Sequence, residues 1–559
     1  MYVENGKASI QGDGQLANQT RITDASTKSQ NIIALLIILA FAVINIASVV
    51  RGFSLTTDED KHILYGERIL AGNSTRIDDS KMPITALNAL PKKLASFLHN
   101  EKIKQVLSRL YVARMVTILF SCLLAWLVFY WSRSLYGFAP ALFSLSLYVL
   151  DPNIIAHSQL VTTDLYVTCA MTFAFFALWK FLHERNFKNG ILCLFALGVS
   201  QIAKYTAIVL YPLFFITILI YDLPLWISAF QEKIKIKTLV LTYLKYGIFA
   251  GLASILIINL GFLFNGTFTN FGAYTFSSDV LNTIQARFPM LQRIPVPVPY
   301  PYLHGLDWMR NTEQTGNLSG NVYLLGQIST LKGFPGYYFV ASFLKTPIGT
   351  QIILLLALVA YFMHKERRAN LMVHEIFLLI PVLFFTVYFN FFFNTQIGIR
   401  YYLPVFPLLY VFAGNLFIGW GKFSIRQKTA SLALIMYIFV SVFSYYPYCL
   451  SYFNEFVWNR KLAYQYLADS NIDWGQGRNE LNQYLLQHPG DIYDPQKIRS
   501  GTIVVRVNDL VGILNGPHQF AWLRNNFKPT ATIAYSYLVY IISPKEINHL
   551  CATTTYCTK

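Results

Sequence analysis

The chain has 559 residues, of which 54% are hydrophobic and only 13% charged, with a mean hydropathy of +0.42. That is too apolar for a water-soluble enzyme of this size and marks an integral membrane protein. The net charge of +17 is spread in short basic clusters between apolar runs, which excludes a nucleic-acid footprint and reads instead as a topology signal.

Residues 1–29 are polar, rich in Gly, Ser, Thr, Asn and Gln, and have no apolar core. They are expected to form a disordered cytoplasmic tail rather than a cleaved signal peptide. Residues 30–447 are predicted to be an all-α polytopic membrane domain. A span needs about 20 apolar residues, and about eleven candidates follow: 31–50, 111–131, 137–154, 163–182, 189–203, 205–222, 243–264, 346–364, 373–393, 402–421 and 428–447. The run 189–222 would reach about 50 Å as one helix, against a bilayer core of about 30 Å. It must fold back, and Lys204-Tyr205 is its one charged break.

With the N-terminus inside, Arg133, Lys180, Arg185, Lys188, Lys233, Lys235, Lys237, Lys365, Arg367, Arg368, Lys422, Arg426 and Lys428 fall in inner loops, the positive-inside pattern. Three long segments are left for the outer face: about 51–110, about 265–345 and 448–559. The last is predicted to be a small α/β domain. It has strand-like runs at Gly501–Arg506 and Ala531–Ile542 and helix-like stretches around Leu481 and Phe520. The six cysteines show no C-x-x-C or Cys/His ligand spacing, so no metal site follows from them. For Cys551 and Cys557, outside on this topology, a disulfide and two free thiols fit equally.

The ionisable residues that interrupt or flank apolar runs gather at outer ends. In the first outer segment, Thr56 or Thr57 can cap a helix with Glu59 or Asp60 three residues on. A capping box, however, does not require His62 four residues after Asp58, which puts both side chains on one face. Arg114 stands at the outer mouth of the second span, where snorkelling is the plain reading. The string Asp151-Pro-Asn-Ile-Ile-Ala-His157-Ser-Gln-Leu-Val-Thr-Thr-Asp164 joins the third and fourth spans, with Asp164 at a helix start where N-capping is the plain reading. Lys204 lies at the fold-back, Lys345 before the eighth span and Arg400 before the tenth. Asp473 and Trp474 follow the last span. Together these residues suit a site that holds a phosphate among cations and keeps a carboxylate near a hydroxyl.

The same strings, in order, carry a resemblance. Asp-Glu-x-x-His, the Arg of the second span, Pro-Asn-x-x-Ala-His-Ser-x-x-x-Thr-Thr-Asp, Lys-Tyr-Thr, Lys-Thr-Pro, Gly-x-Arg-Tyr-x-Leu-Pro and Asp469-Ser-Asn-x-Asp-Trp-Gly-Gln476 resemble the protein O-mannosyltransferase-like (family 39) branch of the GT-C glycosyltransferases, from about Ile33 to Gln476. The resemblance implies a multi-span helical enzyme that moves a sugar, a hexose such as mannose, from a polyprenyl-phosphate carrier to an acceptor on the outer face. It implies Asp58 as the catalytic base with Glu59 beside it, and Arg114 in the active site. Lys204, Lys345 and Arg400 are the further candidates for the donor phosphate, and His62, His157, Asp164, Asp473 and Trp474 the remaining site candidates. The resemblance is nearest to bacterial members, which places the chain in the inner (plasma) membrane. The sequence departs at Ser80-Lys-Met-Pro83, where many members read His-Pro-Pro, and this leaves open the donor sugar and any divalent-metal requirement.

The chemistry asks for no more than these residues supply. A lipid phosphate leaves as a stable anion, so it needs cations rather than a general acid, whereas the attacking hydroxyl needs a base. Adjacent Asp58 and Glu59 diverge by about 100° on a helix and do not form an opposed carboxyl pair. A transporter or flippase would place its ionisable groups near the midplane, often with repeat symmetry; here they lie at outer ends and no repeat is evident. A polymerase or ligase of lipid-linked glycans would use the same face and stays open, as does the acceptor: protein, glycan or lipid.

Overall fold

The computed structural model describes residues 24–232, 236–316 and 321–558. Residues 1–23 of the expected tail, and Lys233 and Lys235, lie outside these. The first helix begins at Asp24 and runs to Val50, so residues 24–29 are helical.

Every predicted span has an apolar helical element at its place, but the elements are of three kinds. Among the described residues, six helices are apolar and long enough to cross a membrane: Lys28–Val50, Leu110–Tyr136, Thr163–His183, Ile236–Gly261, Leu371–Phe391 and Ile425–Phe443. Three more are bent pairs. Phe138–Val149 and Pro152–Ser158 meet at 62°, where Asp151 caps the second piece by accepting from the N–H groups of Asn153 and Ile154 at 2.7 and 2.8 Å, and Pro152 takes the first helical position. Tyr337–Lys345 and Ile348–Met363 meet at 114° across Thr346-Pro347, as expected of a proline that denies the helix a donor. Tyr205–Tyr221 and Leu223–Gln231 meet at 58° around Asp222, whose carboxylate binds Arg185 at 2.5 and 2.6 Å. Phe187–Ala203 and Val405–Phe417 are apolar but shorter. By length and composition, six to nine elements can therefore cross, against the eleven expected. The run 189–222 breaks at Lys204, which is extended between a helix and a 3₁₀ turn.

The first long segment is tied to the bundle through Asn88. Its side-chain amide donates to the Ala113 carbonyl and the Thr117 hydroxyl, both at 2.9 Å, and its oxygen accepts from Tyr166. All these groups are buried, so the network fixes helix Ala86–Ala95 on the two spans it touches.

A short ribbon, β1 (Val322–Leu324) and β2 (Gln327–Ser329), belongs to the second long segment. The C-terminal segment forms a four-stranded sheet of β3 (Ile492–Tyr493), β4 (Gly501–Arg506), β5 (Ala531–Ile533) and β6 (Tyr537–Ile542), in the order β3-β4-β6-β5. Only the β3–β4 pairing is parallel. Successive side chains of β4 go to opposite faces. Ile503 and Val505 join the main core with Leu538 and Tyr540, while Val504 packs with Val539 and Leu481 in a second cluster. Helices Arg478–Gln487 and Ala521–Asn526 stand where helix-like stretches were expected. The run 531–542, read from sequence as one strand, is a hairpin: Ala534 and Tyr535 both take positive φ, 50° and 58°, turning β5 back on β6. No Gly or Asn announces that turn.

This domain sits directly on the chain that leads into the first outer helix. Thr57 N–H donates to the Trp474 carbonyl at 2.9 Å, Ser54 N–H to the Gln476 carbonyl at 3.3 Å, and Asn479 N–H to the Ser54 hydroxyl at 2.7 Å.

Candidate active site

The residue that enters helix Glu59–Leu70 is Asp58, not Thr56 or Thr57. Asp58 is the N-cap residue, with φ 89° and ψ −23°, and makes no side-chain capping bond. A non-glycine residue in this left-handed region costs about 1–3 kcal/mol and persists only where its surroundings impose it. The carboxylate is thereby free of its own helix and lines a cavity. The expected capping box is replaced by another closure, in which Thr56 N–H and hydroxyl both donate to Glu59 Oε2 at 2.9 Å.

Glu59 points the other way, into the protein. Arg114 donates through Nε to Glu59 Oε1 at 3.0 Å and through a terminal nitrogen to Oε2 at 2.6 Å, and Val161 N–H adds a bond of 2.8 Å to Oε1. The rest of the guanidinium binds the Phe53 and Ser54 carbonyls at 3.0 and 2.8 Å. Neighbours in sequence thus face opposite environments: Asp58 the cavity, Glu59 the core.

The cavity has a volume of about 610 Å³. Its walls come from the start and the middle of the first long segment (Thr57 to His62, Asp78 to Lys81), from Thr162 to Asp164, from Lys204, from Trp308, from Ile397 to Tyr401, and from the C-terminal segment between Asp469 and Leu514. All three long segments therefore contribute to one side of the layer of spans. Five basic side chains, Lys61, Lys81, Lys204, Arg400 and Arg506, face five carboxylates, Asp58, Asp78, Asp164, Asp469 and Asp473, so the two signs are matched in number.

The sequence candidates divide. Asp58, His62, Asp164, Lys204, Arg400, Asp473 and Trp474 come together in the cavity wall; Glu59, Arg114, His157 and Lys345 do not. Asp164, in the first turn of helix Thr163–His183, gathers two of the cations: Lys204 Nζ lies 2.6 Å from Oδ1, and Arg400 lies 3.9 Å from Oδ2. The aromatic rings hold those cations from the other side, Lys204 Nζ 4.1 Å from the Tyr401 ring centre and the Arg400 guanidinium 4.0 Å from that of Trp474. Asp473 is tied to Arg506 and to the Gly475 N–H. His62 is buried, which together with nearby Lys81 lowers its pKa to about 3, so its ring is neutral throughout the physiological range. Lys345 is buried beneath the site and donates to the Leu450 and Asn471 carbonyls at 2.7 and 2.6 Å. His157 packs edge-on to Trp474, with ring centres 6.2 Å apart.

Lys81 and Asp469 are among the wall residues that were not singled out from sequence. Lys81, 3% exposed, places its ammonium 3.7 Å from Asp58 and 3.6 Å from Asp78, and donates to the Ser80 hydroxyl at 2.9 Å. Burial works against the Asp78 anion, but the Ser80 hydroxyl and Lys81 more than offset it and hold the carboxyl below its usual range. The signal for Lys81 was the departure Ser80-Lys-Met-Pro83, which put an ammonium where imidazole was expected. Asp469 is held in a left-handed conformation, φ 57°, by Asn508, which accepts its N–H at 2.9 Å; burial raises its carboxyl to about 6. It opened one of the quoted strings, but nothing in sequence separated it from Asp473.

Residues 106–270 match the family described as dolichyl-phosphate-mannose-protein mannosyltransferase. The match falls within the membrane-spanning part of the chain. It is less than a third of the chain and takes in Arg114, His157, Asp164 and Lys204, leaving Asp58, Lys81, Arg400 and Asp469 outside. Two solved structures of ArnT from Cupriavidus metallidurans are also similar. The apo form is 14% identical, with 73% of this chain and 62% of that chain covered and a TM-score of 0.40. The form bound to undecaprenyl phosphate is 12% identical, with 93% and 98% covered and a TM-score of 0.47. In the first of these alignments the chain spans less than two thirds of the ArnT chain. Comparison with curated proteins finds no match.

Proposed function

We propose that this chain is a membrane glycosyltransferase that moves a hexose from a polyprenyl-phosphate carrier to an acceptor hydroxyl, with Asp58 as general base and inversion at the anomeric carbon. The observation that carries the reading is the placement of Asp58. It is a strained, uncapped carboxylate facing a cavity whose nearby cations are Lys81, Lys204 and Arg400. In the reaction, the acceptor oxygen bonds to the anomeric carbon and its proton passes to Asp58. The bond from that carbon to the phosphate oxygen breaks, and the lipid phosphate departs as an anion. Lys81, Lys204 and Arg400 are suited to stabilise the growing charge, because charge-assisted contacts in a secluded cavity strengthen as charge develops on the leaving oxygen. Each of these cations is countered by a carboxylate in the free protein, so the donor phosphate competes with Asp58, Asp78 and Asp164 for them. The matched segment supports the transferase class; the distribution of basic loops supports an outward site, and the resemblance to bacterial members supports an inner-membrane location.

Asp58→Asn tests the assignment, since it keeps shape and removes the base. Sugar transfer from a polyprenyl-phosphate donor should fall by about 10²–10⁴, with undecaprenyl phosphate still bound. Turnover near that of the wild type would reject Asp58 as base.

A further inference from the structure

Arg76 does not line the cavity, yet its guanidinium joins the segments that carry two of the cavity cations. One terminal nitrogen donates to the Tyr205 hydroxyl at 2.8 Å and the Pro301 carbonyl at 2.6 Å, and the other to the carbonyls of Asp79 and Lys81 at 2.7 and 2.6 Å. The group lies between aromatic rings, 5.9 Å from the centre of Tyr65 and 5.6 Å from that of Phe262. Tyr65 and Tyr205 are both buried, and the four bonds themselves are half-buried. The bonded positions are informative. Lys81 is held by its own carbonyl, and Tyr205 directly follows Lys204 where the long apolar run breaks. Pro301 lies in the first turn of the helix Tyr300–Thr315, which presents Trp308 to the cavity and binds Asp79 through His304 at 3.2 Å.

We infer that Arg76 is a positioning residue that sets the spacing between Lys81 and Lys204, and so the width of the anion pocket between them. The inference rests on the proposed function for its ligand, a polyprenyl phosphate, but its geometric core is independent of that reading. A planar fork with donors on two terminal nitrogens serves four acceptors on three chain segments; a lysine at the same place keeps the charge but offers its donors from a single point. Loosening the brace leaves both ammonium groups present and lets their separation drift.

The test uses the full-length protein in nanodiscs, with undecaprenyl phosphate as probe. The wild type, Arg76→Lys, Lys81→Ala and the double variant are compared for lipid affinity, and the wild type and Arg76→Lys for backbone hydrogen exchange without lipid. Arg76→Lys should weaken binding about tenfold and quicken exchange in residues 77–82 and 204–209 together. Adding it to Lys81→Ala should cost no more than about twofold further, because a brace acting through Lys81 has little left to position. Wild-type affinity in Arg76→Lys, or losses that simply multiply in the double variant, would overturn the inference. Unchanged exchange in both segments would overturn it whatever the lipid result. A wild type that ignores the lipid while Arg76→Lys quickens exchange in both segments would instead sink the proposed function and support the brace. If Arg76→Lys does not fold, Tyr205→Phe, which removes only the hydroxyl, takes its place with the same outcomes at about threefold.

Discussion

Arg114 and Glu59 form a two-point ion pair, at 3.0 and 2.6 Å, in which both side chains are at most 1% exposed. The pair pins the first turn of the helix that follows Asp58 to the second span, and it employs the arginine that sequence reasoning offered to the donor phosphate.

Arg114→Ala should therefore act on stability. Removing one member of a buried pair leaves an uncompensated charge and costs about 3–5 kcal/mol, to be read as a lower melting temperature in detergent. Lys204→Ala, at the cavity wall, should instead weaken undecaprenyl phosphate binding by about tenfold or more, the worth of one charge-assisted contact of about 1.5–3 kcal/mol. Normal melting of Arg114→Ala with weakened lipid binding would return this residue to the phosphate pocket.

Asp469 gives the cavity a pH dependence of defined sign. Its carboxyl is raised by burial from 3.8 to about 6 in the folded state, so the folded protein favours the neutral form. The corresponding stability is fully present below about pH 4 and is lost as pH rises through 6. Asp469→Asn holds the neutral form at every pH, so its stability should fall less than that of the wild type between about pH 4 and 7. Melting curves for the two proteins that stay parallel over this range would show that Asp469 contributes no such dependence.

Trp474 is 5% exposed, lies under the Arg400 guanidinium and receives Thr57 N–H on its carbonyl. Trp474→Ala should open a cavity costing about 3–5 kcal/mol and release Arg400, so that melting temperature and all transferase activity fall together. A variant that melts normally but shows a raised acceptor KM would make Trp474 a recognition platform instead.

The chain itself announced where apolar helices stand, because a run of about 20 apolar residues has few other fates. It also announced the break at Lys204, because an isolated charge interrupts an apolar run; the bends at Asp151-Pro152 and Pro347 were not read, and the expected spans 137–154 and 346–364 each contain the proline that makes them. Asp58, Asp164, Lys204, Arg400 and Asp473 were legible as ionisable residues gathered on the outer side of the apolar runs. What could not be read was the direction in which each one points. Asp58 and Glu59 are chemically alike and adjacent, and only the left-handed turn at Asp58 sends one to the cavity and the other to Arg114.

Sequence alone determined the class of protein, the places of its helices and the set of ionisable groups at one end of them, since all three depend on local composition and spacing. Only the tertiary structure decided which of those groups share a cavity. Lys81, Asp164, Arg400 and Asp469 lie far apart along the chain and meet because helix packing brings their loops together. The same packing decided that Arg114 and Lys345 hold the fold, because a buried cation is satisfied by the acceptors around it, here a carboxylate and main-chain carbonyls from distant segments.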